Sequence, residues 1–135
     1  MNPIETLTAL DGLRRELHCQ QEKIACLEEA ARYLSPAGDG IGSSSGPSDR
    51  VGKMAGQIAD EKAELERMEE RYSQAVAEAA GVLSGLADPV EREVLTKRYI
   101  AGKNWTEISG SMGYTHRNIR RLKQSAFQKL SANVR

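Results

Sequence analysis

Apolar residues recur early in the chain at alternating spacings of three and four. Leu10, Leu13, Leu17, Gln20, Ile24, Leu27, Ala31 and Leu34 make one stripe, with Gln20 its polar member. Glu16, Glu22, Lys23, Glu28 and Glu29 fall off that stripe, so the spacing predicts an amphipathic helix with one buried seam. Ser35-Pro36 stops it, because proline disfavours helical geometry in the residue before it. A second stripe runs through Val51, Met54, Ile58, Glu61, Leu65, Met68, Tyr72, Ala75, Ala79, Val82 and Leu86, with Glu61 polar. Between the stripes, 11 of the 16 residues in 35–50 are Gly, Ser or Pro, the composition of a flexible connector. No GxxxxGK pattern occurs there, so its glycines do not read as a phosphate loop.

At 1.5 Å per residue the two helices would be about 46 and 51 Å long. Matched lengths joined by a flexible loop favour an antiparallel hairpin, and a parallel dimer of either helix is the competing arrangement. The heptads do not discriminate between them. Gln20 and Glu61 are expected to fix register or orientation rather than to do chemistry. Ile4, Leu7 and Val76 would be apolar flank positions of the hairpin, available to a second copy.

The last fifty residues have a different grammar. Asp88-Pro89-Val90-Glu91 reads as a helix start: Asp88 can cap, Pro89 suits the first position, and Glu91 completes a capping-box-like arrangement. That helix continues through Val94, Leu95, Arg98, Tyr99 and Ile100 to a left-handed Gly102. Asn104 is the next cap, with Glu107 three residues on, opening a short helix that includes Trp105, Ile108 and Met112. Gly113 breaks it where a sharp turn needs positive φ, and Ser109 is the small residue where two helices would cross. Thr115 caps a third helix, from His116 to about Leu130, with Ile119, Leu122, Ala126 and Leu130 as its apolar stripe. A short helix, a glycine turn and a longer one-striped helix make a helix-turn-helix.

Charge sharpens this division. Residues 1–85 carry 9 basic and 15 acidic side chains, whereas residues 86–135 carry 10 basic and 4 acidic ones. The zero net charge therefore hides an acidic region of −6 and a basic region of +6, an asymmetry that points to nucleic acid at the C-terminus. Arg117, Arg121, Gln124 and Gln128 lie opposite the apolar stripe of the third helix, with His116 and Arg120 on one shoulder and Asn118 on the other. Arg, Asn and Gln suit purine edges in a major groove, and Arg and Lys neutralise phosphates. Thr115 can serve both as cap and as contact. Lys97, Arg98 and Lys103 read as solvated charge or phosphate contacts, and Tyr99 and Trp105 as core.

The stretch VEREVLTKRYIAGKNWTEISGSMGYTHRNIRRLKQSAFQKL resembles the C-terminal promoter-binding region of bacterial sigma factors. More narrowly it is similar to a family of small phage and prophage proteins that includes late-gene transcription regulators. The residues that carry the likeness are Arg98-Tyr99-Ile100, Gly102, Lys103, Trp105, Glu107-Ile108, Gly113-Tyr114 and Ala126 with Leu130. Gly110 and Ser111 depart from it, standing where sigma-like motifs have longer polar residues. The segments with which sigma factors bind core polymerase and melt the start site have no counterpart here, so a stand-alone sigma factor is not expected.

These readings give an all-α chain, with a long antiparallel helical hairpin at 1–86 and a three-helix, sigma-like helix-turn-helix at 87–135. The expected function is a sequence-specific, phage- or prophage-encoded DNA-binding transcription regulator. Thr115, His116, Arg117, Asn118, Arg120, Arg121, Gln124 and Lys103 are its DNA-binding candidates. Double-stranded DNA is the expected partner, with a homodimer through the N-terminal helices as a second; contact with RNA polymerase is left open. A small-terminase-like packaging protein, or a structural coiled coil with a basic interaction tail, is the alternative.

An enzyme is not expected, because no acid, base, nucleophile and ligand set is visible. Cys19 and Cys26 are about 10 Å apart along one helix, too far for a disulfide. With His18 they fall short of a zinc ligand set, so neither metal nor cofactor is expected. Free thiols, the lack of a basic-then-apolar leader and the lack of an apolar span lead to a cytoplasmic, membrane-free expectation.

Overall fold

The computed structural model describes residues 2–34 and 46–132. They form five helices: α1 (Pro3–Leu34), α2 (Gly46–Ser84), α3 (Pro89–Leu95), α4 (Trp105–Met112) and α5 (His116–Ala132), with a π-helical turn over Thr96–Ile100 continuing α3. The chain is all-α, two long helices followed by a helix-turn-helix. No helix among the described residues is long and apolar enough to cross a membrane. Residues 35–45, most of the expected connector, lie outside the described residues. Its last part is helical, because α2 starts at Gly46, five residues before the Val51 expected from the stripe. Asp49 in that first turn complements the helix dipole.

The chain divides into two compact units, one from Met1–Arg14 with Arg71–Arg135 and one from Arg15–Glu70. This division does not follow the 86/87 boundary drawn from sequence. The physical reason is the core of the first unit, in which Leu7, Leu10, Ala79 and Leu83 cluster with Val94, Leu95, Tyr99, Ile108, Ile119, Ala126 and Leu130. The start of α1 thus lies beside the end of α2, in antiparallel order, and both pack with the C-terminal helices. Leu7 is fully buried there, which corrects its assignment as an exposed flank open to a second copy. Val76 packs against the same cluster.

Polar groups lock this unit at three places. Asn2 caps α1, its Oδ1 accepting from the Glu5 N–H at 2.8 Å. Asp11 accepts from both terminal nitrogens of Arg98, at 3.1 and 2.8 Å, a bidentate pair between α1 and the π-helical turn. Arg98 is therefore neutralised within the chain, not solvated or free for phosphate. Arg14 donates to the carbonyl of Tyr99 at 2.6 Å and so satisfies a carbonyl at the end of that turn. The turn closes at Gly102, whose φ of 75° is left-handed. Burial pushes the Tyr99 phenol above its ordinary pKa, opposed by the adjacent Arg98 charge.

Glu91 corrects a second expectation. Asp88 does cap α3, accepting from the Val90 N–H at 2.9 Å. Glu91 does not complete a capping box. Its side chain is only 3% exposed, and it accepts from Ser125 Oγ at 2.7 Å and from Lys129 Nζ at 2.9 and 3.1 Å. A buried carboxylate is costly unless paired, so the partners offered by α5 outweigh a local cap.

In the second unit the two polar seam positions meet. The Gln20 amide donates to the Glu61 backbone carbonyl at 2.9 Å and to its carboxylate at 3.2 Å. Lys23 pairs with the same carboxylate at 3.0 Å, and Lys62 with Glu28 at 3.1 Å. Hydrogen bonds from Lys23 and Gln20 hold the Glu61 carboxyl below its usual range. Ile24 is buried, whereas Leu17, Leu27, Leu34, Met54, Ile58, Leu65 and Met68 are half-buried. Cys19 and Cys26 are exposed free thiols.

Candidate nucleic-acid interface

The α4–turn–α5 unit is fixed by local hydrogen bonds that its sequence supplies. Asn104 Oδ1 accepts from the Glu107 N–H at 2.8 Å, while the Glu107 carboxylate accepts from the Asn104 N–H at 3.0 Å, a complete capping box. Gly113 ends α4 at φ 71°, and the N–H groups of Gly113 and Tyr114 both donate to the Ser109 carbonyl, at 3.0 and 3.2 Å. The Ser109 hydroxyl donates to the Tyr114 carbonyl. Ser109 thus ties the turn through hydrogen bonds, beyond the small size for which it stood out in the sequence. Gly110 and Ser111 are exposed, on the side of α4 where weak helix formers displace no packing. Thr115 Oγ1 accepts from the Asn118 N–H at 3.1 Å and caps α5.

Ile119, Ala126 and Leu130 bury one face of α5. His116, Arg117, Arg120, Arg121 and Gln124 are exposed, together with Thr115, and Asn118 and Lys103 are half-buried. Two rows follow from helical spacing. Arg117, Arg121 and Gln124 make an outward row, and His116, Arg120 and Lys123 make a shoulder row. The Arg121 guanidinium donates to Asn118 Oδ1 at 2.7 Å, which presents both side chains together on the helix surface.

The first half of α5 gathers cations without nearby acids. Several cations of the chain are met within it: Arg14 and Arg98 by Asp11, Lys97 by Glu93, Lys129 near the end of α5 by Glu91, and Lys23 by Glu61. Lys97 also donates to Ser111 Oγ at 3.2 Å. Among the described residues, no ion pair engages Arg117, Arg120, Arg121, Lys123 or Lys103. The N-terminal half of α5 is therefore an uncompensated positive surface, as phosphate neutralisation requires.

Tyr99 is core, as expected, stacked on Phe127 with centroids 6.2 Å apart and edge-on to Trp105 at 6.5 Å. Trp105 is only half-buried. It walls a cavity of about 350 Å³ together with His116, Ile119, Arg120 and Lys123. The Lys123 ammonium sits 5.2 Å from the Trp105 centroid and 5.4 Å from that of Phe127. Lys123 and Trp105 were not among the sequence candidates. The signal was present for Lys123, which lies seven residues after His116 and so shares its helix face.

Residues 83–132 match the family described as Sigma-70, region 4. The match begins in the last turn of α2 and ends with α5, so it covers the helix-turn-helix and the helix that leads into it. No curated protein and no solved structure matches the chain.

Proposed function

We propose that this chain is a sequence-specific DNA-binding transcription regulator that reads double-stranded DNA with α5. The observation that carries the reading is the exposed, uncompensated positive face of α5 within a region that matches Sigma-70, region 4. Arg117, Arg121 and Gln124 project from the side opposite the buried stripe, where a recognition helix meets base edges. Thr115, His116, Asn118, Arg120 and Lys103 flank them toward the sugar–phosphate backbone. This is a binding protein and not an enzyme, needs no cofactor, works in the cytoplasm and belongs to a phage or prophage. The likeness to a sigma region extends the proposal to contact with RNA polymerase.

A second copy is the other proposed partner. The half-buried seam residues of the second unit, Leu27, Leu65 and Met68 among them, support association there, whereas Leu7 and Val76 are already used. Dimers would place two recognition helices on half-sites one or more DNA turns apart. Titrating mixed-sequence duplex DNA between 50 and 200 mM salt tests the primary reading. Affinity that falls steeply with salt supports it, and no binding at either salt overturns it.

A further inference from the structure

A cavity beside Trp105 lies on the shoulder of α5, next to the outward row. It is lined by Trp105 from α4 and by His116, Ile119, Arg120 and Lys123 from α5. Three of these side chains can carry positive charge, and none of them has an ion-pair partner among the described residues. Its volume is at the lower end of the roughly 300–1,000 Å³ that holds small organic groups, more than a lone ion needs. Lysine is ordinarily a mobile cation, but Lys123 is held over two aromatic rings, Trp105 and Phe127, so less freedom is lost when an anion meets it. The shoulder row of α5 and the start of α4 thus form a fixed cationic pocket with an indole wall, beside the outward row.

We propose that this pocket receives one phosphodiester of the DNA backbone, and that Lys123, positioned by Trp105, is a phosphate-binding residue that sets how α5 docks. The proposal rests on the DNA-binding reading and adds to it a site and two residues. A phosphodiester supplies a single diffuse negative charge for Arg120, Lys123 and His116 to share. Its sugar supplies the apolar surface that an indole covers. The pocket carries no sequence information, so its loss must act on all duplexes alike.

Trp105 is the only tryptophan in the chain, so its fluorescence reports on the pocket directly. The test uses the full chain, a mixed-sequence duplex and a duplex selected by the chain from a random pool. Parent emission should change on adding either duplex. Lys123→Gln should weaken binding to both duplexes by the same factor and lower the salt slope by about 0.9, the value for one phosphate. Between 50 and 200 mM salt the parent should then lose about 3.5-fold more affinity than the variant. Lys123→Arg should restore the slope. Trp105→Leu should lower it while a thermal melt shows the fold retained.

Unchanged affinity and slope in a folded Lys123→Gln, with the parent still binding DNA, overturns the pocket and leaves the DNA reading standing. A loss confined to the selected duplex also overturns it, because the site would then read bases. A parent that binds neither duplex removes the DNA reading itself. Inorganic phosphate and adenosine monophosphate are the remaining arm. Saturable quenching of Trp105 by either at millimolar concentration, with no response to duplex, assigns the pocket to a free phosphate or phosphate monoester instead.

Discussion

The tie between α3 and α5 yields a prediction with a built-in asymmetry. Glu91 is 3% exposed and Lys129 is 52% exposed, although the two make one ion pair. Replacing Lys129 by Met strands a buried carboxylate with only Ser125 Oγ as donor, at a cost of about 2–3 kcal/mol. Replacing Glu91 by Met releases Lys129 into water it already half occupies and fills the site with an apolar side chain of similar length. That change should stay within about 1 kcal/mol of the parent. At roughly 3–5 °C per kcal/mol for a chain of this size, Lys129→Met should lower Tm by about 6–15 °C. Glu91→Met should lower it by a few degrees at most, and the double variant should resemble Glu91→Met. Circular-dichroism melts of the four proteins form the cycle. Equal damage from the two single changes, or an undamaged Lys129→Met, would refute the account of Glu91 as a buried charge that depends on its partner.

Other consequences are local. Gly113→Ala should cost about 1–2 kcal/mol in urea titrations from backbone conformation alone, since nothing lies within 4 Å of the added Cβ. Gly102→Ala should cost more, because its Cβ would stand 3.0 Å from the Arg14 guanidinium that caps the π-helical turn. Glu61 should titrate below the usual carboxylate range by NMR, and Lys23→Ala should move its midpoint upward. Its folded value is lowered, so the stability it contributes is present above the ordinary carboxylate value and is lost as pH falls through the folded one. Leu27→Glu, at a half-buried seam position, should lower the melt of the second unit by about 1–2 kcal/mol. An unchanged melt would remove that seam from the account.

What the sequence made legible was local. Asn104 with Glu107, Gly113 and Thr115 act within four residues of themselves, so caps and turn could be read directly and the structure has them in place. The exposed row of Arg117, Arg121 and Gln124 follows from the period of one helix. Gln20 and Glu61 stand out as the polar breaks of two apolar heptads, but that they meet each other is seen only in the structure. What could not be read depends on partners distant in the chain. Glu91 looks like a cap residue until Lys129, 38 positions later, takes its carboxylate. Arg98 looks like surface charge until Asp11 engages it from 87 positions away. Leu7 looks like a spare flank, because nothing near it in sequence announces the core that α3, α4 and α5 complete. Lys123 lies over the Trp105 ring, a contact between two helices that no local pattern announces.

Whether α5 reads DNA sequence is decided by selecting bound duplexes from a random pool. The parent should enrich a defined motif, and Arg117→Ala and Arg121→Ala should each relax it at one or two base positions, at about 1–3 kcal/mol per lost base contact. If both variants fold as the parent does and enrich the same motif with the same strength, α5 is not the recognition helix.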